Sequence, residues 1–304
     1  MARFVTISAV QLPQHHRSKS VREVKKEILN DANRMLSEAG ARKSDIALLG
    51  EFFNIQGIKP PEKGYYALAD PVPGPLVEHL SRLAKRFRMY IVAPICGRER
   101  ACPERSEGTR LYNRALILDR KGHLLGHYDK VHPTQLEKKM GIVPGEGFKV
   151  FDLDFGRAGV MICHDISFVE SARCLALLGA EVIFWPHLQG GWGEIAWDII
   201  VRSRAIDSSV ILVSACYGLN RNVAWRPGMM QGRSNIIRWD GHVIADAGRW
   251  VDIATARVDL NHKRIAHDFT RDGEAPFWKD VLEDRRPECY APITLPKRKK
   301  RVAS

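Results

Sequence analysis

Segments whose apolar residues have helical spacing alternate along the chain with short apolar runs of strand length. This alternation limits the possible fold classes more than any other feature of the sequence. Four segments have the spacing of amphipathic helices, and ten shorter runs are rich in β-branched residues: FVTISAVQL, DIALLGE, MYIVAPIC, NRALILD, HLLGHYDK, AGVMIC, EVIFWP, VILVSACY, SNIIRW and ATARVDL. Alternating strands and helices are typical of an α/β domain. The turns DRKG at 119–122 and WDG at 239–241 predict hairpins, so part of the sheet structure must be antiparallel.

The predicted helices carry start and stop signals. They span about 20–40, 75–88, 168–178 and 195–208. Ser20 and Glu23 form a capping box for the first helix, and Gly40 is its predicted stop. Pro75 suits the first turn of the second helix, and Gly179 ends the third.

The chain shows no linker between these elements, so its 304 residues predict a single domain over residues 1–290, with an irregular arm from about 261. The formal net charge is +12, but the basic run KRKKR at 297–301 supplies five of the positive charges. We expect residues 291–304 to form a flexible basic tail. The other basic residues form no stripe with aromatic residues between them, so no specific nucleic-acid partner is expected.

The start of the chain and its cysteines indicate a cellular location. The first apolar run is interrupted by Ser8 and Gln11, unlike a signal peptide, and no apolar stretch is long enough to span a bilayer. We therefore expect a cytoplasmic protein without a membrane partner. The six cysteines show no paired zinc-binding spacing, which predicts reduced thiols and no structural metal site: Cys96, Cys102, Cys163, Cys174, Cys216 and Cys289.

Three chemically reactive side chains stand where predicted strands end. Cys163 follows an apolar strand in GVMICHDIS, and a turn into a helix there would expose the thiol near helix N–H groups. Glu51 ends DIALLGE among apolar residues, where a desolvated carboxylate could act as a general base. Lys130 ends HLLGHYDK. Each alone has a simpler explanation: a buried cysteine, a surface lysine or an ion-paired glutamate.

Together, these positions resemble the nitrilase superfamily, the carbon–nitrogen hydrolases, whose signature is a glutamate, a lysine and a cysteine at strand ends in that order. Glu51 in LLGEFF, Lys130 in YDKVH and Cys163 in GVMICHD match it, and the similarity extends over residues 5–290. The family's second glutamate, in the loop after the lysine, is matched by Glu137 in LEKKMGIVPG. The resemblance implies an α/β fold, a four-layer αββα sandwich, and a homodimer or larger homo-oligomer.

The resemblance also implies a mechanism. Cys163 attacks an amide or carbamoyl carbon, Glu51 transfers the protons, and Lys130 with the backbone N–H of His164 holds the oxyanion. Water then hydrolyses the thioester, while Glu137 orients the substrate and the lysine. We expect Lys130 to favour the thiolate. No metal or other cofactor is required.

The pocket and the substrate follow less directly from the sequence. His187 and Trp192, which follow a predicted strand, are expected to line a pocket for a small-molecule substrate, with a packed loop as the alternative. Asp165 is expected to cap the helix that starts near Phe168. His164 stands where true nitrilases typically have tryptophan, which favours a linear amide or N-carbamoyl amine. The alternatives are a nitrile substrate and a catalytically silent binding scaffold.

Overall fold

The computed structural model describes residues 2–14, 20–58, 64–99, 110–188, 194–219, 232–261, 265–268, 273–276 and 282–295. The chain divides into two compact units, Met1–His262 and Lys263–Ser304. The basic run at 297–301 lies outside the described residues. The single domain over 1–290, the arm from about 261 and the tail over 291–304 stay predictions.

The secondary structure alternates between strands and helices. The strands are β1 (Phe4–Pro13), β2 (Ile46–Leu48), β3 (Asp70–Val72), β4 (Tyr90–Glu99), β5 (Leu111–Leu118), β6 (Leu124–Asp129), β7 (Val150–Leu153), β8 (Gly156–Val160), β9 (Val182–Pro186), β10 (Ile211–Ala215), β11 (Tyr217–Gly218), β12 (Asn235–Ile237), β13 (Val243–Asp246), β14 (Asp252–Asp259), β15 (Ile265–Asp268) and β16 (Gly273–Pro276). The α-helices are α1 (Val21–Ala41), α2 (Pro75–Phe87), α3 (Gln135–Lys139), α4 (Val169–Leu177), α5 (Glu194–Ser208) and α6 (Ala291–Thr294). None of the helices in the described ranges has the length and apolar character needed to cross a membrane.

Two sheets form the first unit. One has the order β11-β1-β2-β4-β5-β6, with β14 also paired to β1 and β3 also paired to β4. Its strands β1, β2 and β4 are parallel, whereas β4, β5 and β6 are antiparallel. The other sheet has the order β13-β12-β10-β9-β8-β7, with β8, β9 and β10 parallel. In the second unit, β15 and β16 form an antiparallel pair.

The sheets of the first unit pack face to face and are covered by helices. The apolar side chains buried between them include Ile7, Ile46, Val92, Ala115, Val160, Phe184, Val213 and Ile236. Helices α1 and α2 pack on the outer face of the first sheet through Val24, Ile28, Leu36, Leu80 and Leu83. Helices α4 and α5 cover the second sheet, where Leu175, Trp197 and Val201 are buried. This is the four-layer αββα sandwich implied by the sequence resemblance.

The local signals account for most element boundaries. Each of the ten predicted strand runs contains an observed strand, and both predicted hairpins form, with Gly122 and Gly241 at positive φ. The capping box at Ser20 is present. The predicted stop at Gly40 is wrong, because α1 continues to Ala41. A Cβ at Gly40 would overlap the ring of Phe87, so this glycine permits close packing of α1 on α2.

Candidate active site

The ends of three strands bring the predicted reactive groups to one cavity. Glu51 lies just beyond β2, Lys130 directly follows β6, and Cys163 lies just beyond β8 in the other sheet. These three side chains and Glu137, from α3, line a cavity of about 480 Å³. The structure therefore places four of the predicted site residues at one concave surface.

The Lys130 ammonium lies between two carboxylates. Its Nζ donates to Glu51 Oε1 at 2.9 Å and to Glu137 Oε2 and Oε1 at 2.8 and 3.0 Å. All three residues are buried, with at most 5% of any of them exposed. Removing one partner of a buried ion pair typically costs about 3–5 kcal/mol, so each charge here depends on the others.

Backbone and amide N–H groups also donate to the two carboxylates. Asn113 Nδ2 donates to Glu51 Oε1 and to Glu137 Oε1, both at 2.7 Å. The backbone N–H of Leu188 donates to Glu51 Oε2 at 2.8 Å, and that of Thr134 donates to Glu137 Oε2 at 2.7 Å. Two carboxylates and one ammonium leave a net negative charge, which these donors help to stabilise.

Asn113 was not among the residues predicted from the sequence. It is buried in the middle of β5, in the run LYNRALIL, where a side-chain amide requires hydrogen-bond partners. Because the facing atoms of Glu51 and Glu137 are carboxylate oxygens, which only accept, the nitrogen of the amide must face them. The signal in the sequence that could have identified Asn113 was a side-chain amide within a run of mostly apolar residues.

The nucleophile candidate occupies a strained turn. Cys163 has φ +45°, in the left-handed region that residues with a side chain seldom adopt, and it begins a 3₁₀ helix that ends at Ser167. Trp185 Nε1 donates to the Cys163 carbonyl oxygen at 3.0 Å, and Asp165 Oδ2 accepts the N–H of Ile162 at 2.8 Å. Hydrogen bonds on both sides thus hold the turn in the conformation that places Cys163 in the cavity wall.

Asp165 links this turn to the other sheet. Its carboxylate, fully buried, also accepts from Tyr128 Oη at 2.7 Å and from the backbone N–H and Nδ1 of His132 at 2.9 and 2.8 Å. The prediction that Asp165 caps the following helix is wrong. The carboxylate is already occupied by donors that precede it in sequence, and α4 has Phe168 at its N-cap without a side-chain cap.

The thiol is protonated in the resting site. Burial raises the pKa of Cys163, and the Glu51 carboxylate raises it further, outweighing the opposite effect of Lys130. Lys130 does favour the thiolate, as expected, but its effect on the thiol pKa is smaller than those of burial and Glu51. Burial alone would lower the pKa of Lys130, but the carboxylates of Glu51 and Glu137 contribute to raising it overall, so it stays charged. Glu51 and the thiol line the same cavity, and the carboxylate raises the pKa of the thiol.

The three remaining predicted residues have different positions. His164 is partly exposed next to the nucleophile, and burial is the main cause of its lowered pKa. His187 is fully buried, stacks on Trp185 with ring centroids 3.9 Å apart, and hydrogen-bonds to Ser214 through Nε2 at 3.0 Å. Burial lowers its pKa to about 3, so it is neutral. The prediction that His187 lines the pocket is corrected, because His187 packs against Trp185 and near Trp197 and is not among the described residues that line the cavity. Trp192 lies outside the described residues.

Comparison with known proteins agrees with this geometry. The Carbon-nitrogen hydrolase family profile matches residues 6–265. The omega-amidase NIT2 of Xenopus tropicalis is 29% identical over 255 residues, covering 80% of this chain and 86% of the relative. The human omega-amidase NIT2 is 27% identical over 284 residues, covering 89% and 94%. The chain therefore belongs to the carbon–nitrogen hydrolase family, within the nitrilase superfamily, and is an amidohydrolase by class.

Solved structures show the same fold. Saccharomyces cerevisiae Nit3, a member of the nitrilase superfamily, has a TM-score of 0.67 at 22% identity, with 98% of this chain and 97% of that chain covered. A mutant amidase from Nesterenkonia sp. AN1 has a TM-score of 0.66 at 19% identity, with 95% and 96% covered. That amidase carries the acetamide moiety of fluoroacetamide, added covalently at its active-site cysteine.

Asn113 should contribute to stability through its two charged acceptors. Asn113→Leu removes both donors and keeps a buried side chain of similar size. Because a hydrogen bond to a charged group contributes about 1.5–3 kcal/mol, we expect the free energy of unfolding in urea to fall by about 2–5 kcal/mol. The control is Asn235→Leu, at a buried amide without hydrogen-bond partners in the described part of the chain. Because this amide makes no such hydrogen bonds, the variant should lose less stability than Asn113→Leu, and equal stability of the two variants would contradict the proposed role.

The Glu137 carboxyl should make stability depend on pH. Burial raises its pKa, but Lys130 and hydrogen bonds from Lys130, Thr134 and Asn113 lower it overall below the ordinary value of 4.5. A pKa depressed by folding adds stability above the unfolded pKa and loses it as pH falls through the folded pKa.

We therefore expect the free energy of unfolding in urea to fall less steeply from about pH 7 to about pH 3 in Glu137→Gln than in the wild type. The matched control, Glu146→Gln, changes an exposed carboxylate and should keep the wild-type dependence. An unaltered pH dependence in Glu137→Gln would be inconsistent with a depressed Glu137 pKa.

Proposed function

We propose that the protein hydrolyses the carbon–nitrogen bond of a small linear amide or N-carbamoyl amine through a thioester on Cys163. One observation carries the proposal: Glu51, Lys130 and Glu137 form a buried hydrogen-bonded cluster in the same cavity as Cys163. The omega-amidase relatives and the covalently modified cysteine of the Nesterenkonia amidase support amide chemistry over nitrile chemistry. An intact cluster argues against a silent scaffold.

The first half of the reaction uses the Glu51 carboxylate, which shares the cavity with the thiol. Glu51 takes the proton as the Cys163 sulfur attacks the carbonyl carbon, so the thiolate need not accumulate beforehand. The carbonyl oxygen then becomes an oxyanion near Lys130 and the backbone N–H of His164. When the carbon–nitrogen bond breaks, the protonated Glu51 gives its proton to the departing ammonia or amine.

Proton transfer also changes what Lys130 can stabilise. In the resting site its ammonium is matched by Glu51 and Glu137, but once Glu51 is protonated only one carboxylate partner remains charged. The ammonium can then stabilise the oxyanion, a contribution of about 3–4 kcal/mol for a donor of this type. Water attacks the thioester in the second half, with Glu51 as base, and restores the thiol. In this scheme Glu137 positions the lysine.

The cellular location and assembly state also stay predictions. The cysteines that the structure describes are free thiols, as a reducing cytoplasm would keep them: Cys96, Cys163, Cys174, Cys216 and Cys289. We propose a homodimer or larger homo-oligomer. Sedimentation velocity should give a mass of at least two 34.4 kDa chains, and a single-chain mass at micromolar concentration would contradict this proposal.

Replacing the nucleophile tests the proposed chemistry. Cys163→Ala should fold normally and lose at least about a thousandfold in ammonia release from a panel of amides, N-carbamoyl amines and nitriles, because no other group can form the covalent intermediate. Cys174→Ala removes a sulfur from α4 instead and should keep wild-type turnover. Full activity in Cys163→Ala would refute the assignment, and turnover of nitriles alone would favour the alternative substrate class.

A further inference from the structure

We infer that His187 is a positioning residue for the proposed reaction. Together with Trp185, it fixes the relative placement of the two groups that exchange a proton in that scheme, the Cys163 thiol and the Glu51 carboxylate. The inference rests on the proposed function, because it concerns the reacting groups of the same site. His187 is fully buried just beyond β9 and is not among the described residues that line the cavity, so the scheme gives this titratable side chain no task.

Three contacts fix the backbone and the ring of His187. Its backbone N–H donates to the Ala215 carbonyl oxygen at 2.9 Å, which extends the pairing of β9 with β10 by one residue. Its Nε2 lies 3.0 Å from Ser214 Oγ, and its ring stacks on Trp185 with 13° between the ring planes. Ser214 and Trp185 are themselves fully buried. Because burial lowers the pKa of His187 to about 3, the neutral ring acts through these contacts and supplies no charge.

The peptide unit that follows His187 contacts the proposed general base. Because a peptide unit is planar, the direction of the Leu188 N–H is set by the His187 backbone. This N–H donates to Glu51 Oε2 at 2.8 Å, whereas Lys130 and Asn113 donate to Oε1. One oxygen of the carboxylate is thus held from the first sheet, and the other from the end of β9 in the second sheet.

Trp185 connects the same histidine to the nucleophile. Its Nε1 donates to the carbonyl oxygen of Cys163, the residue with φ +45°, at 3.0 Å. Because Trp185 and His187 are two residues apart along an extended chain, their side chains lie on the same side, where the rings stack. Loss of the imidazole would therefore disturb both the donor to Glu51 and the side chain that holds the strained turn. Proton transfer requires the two groups within hydrogen-bond reach, so a small displacement slows it.

Replacing the imidazole tests this role. His187→Leu keeps a buried side chain of similar size and removes both the contact with Ser214 and the ring stack. For a simple amide, we expect kcat per folded protein to fall at least about tenfold and KM to change by less than about threefold, because the reacting groups shift and the described cavity wall is unaltered. The matched control, His79→Leu, removes an imidazole whose Nε2 lies 2.6 Å from Asn33 Oδ1, between α2 and α1, and should keep wild-type kcat. Wild-type kcat in His187→Leu, or an equal loss of kcat in both variants, would overturn the inference.

Ser214→Ala gives a second readout, which holds even if His187→Leu folds poorly. It removes only the hydroxyl group beside the ring. We expect kcat per folded protein to fall at least about threefold, and the double variant to be no slower than His187→Leu alone, because groups that act through one contact are not additive. Wild-type kcat in Ser214→Ala, or losses that multiply in the double variant, would contradict the inference.

The Cys163→Ala variant distinguishes failure of this inference from failure of the proposed function. If Cys163→Ala is inactive, wild-type kcat in His187→Leu and Ser214→Ala would overturn the positioning role alone. Full activity in Cys163→Ala would overturn the proposed function itself.

Discussion

The placement of one buried ammonium between two buried carboxylates is the interaction on which the rest of the site depends. Lys130 alone would be too costly to bury, and Glu51 and Glu137 alone would repel each other. N–H groups from Asn113, Thr134 and Leu188 donate to the same carboxylates and help to stabilise their net negative charge. These donors come from β5, the start of α3 and the segment after β9. Distant parts of the chain are therefore held in place by a single set of charges.

The thiol comes from the other sheet, so its position depends on how the two sheets pack. Asp165 connects them: it accepts from Ile162 beside the nucleophile and from Tyr128 and His132, on either side of the lysine. Trp185 holds the carbonyl of the strained Cys163 from within the second sheet. The αββα sandwich is thus the framework that brings the ion-paired cluster and the thiol from separate layers to one cavity.

Sequence patterns predicted the parts of this arrangement that depend on local periodicity. Strand ends at Glu51, Lys130 and Cys163, the capping box at Ser20 and the helix starting at Pro75 all follow from short-range signals. Glu137 was predicted from resemblance, and the structure places it against the lysine.

Other features depend on contacts that no local pattern contains. The sequence predicted Gly40 as a helix stop, but this position needs a glycine because the ring of Phe87, on another helix, packs against it. The sequence predicted His187 as a pocket residue after a strand, but its ring packs near Trp197 of helix α5. The raised pKa of the thiol results from burial and Glu51 outweighing Lys130, and no local pattern in the sequence contains that balance. Asn113 shows the same limit, because its two acceptors lie far from it along the chain.

The central claim is that the Cys163 sulfur becomes covalently attached to the acyl group when the cluster accepts its proton. Acid quenching during steady-state turnover of a simple amide, followed by peptide mass spectrometry, measures this directly. The account predicts that the peptide containing Cys163 gains the mass of the acyl group, and that the adduct disappears once the substrate is consumed. Sustained ammonia release with no acylated peptide, or with the acyl group on a different residue, would contradict it.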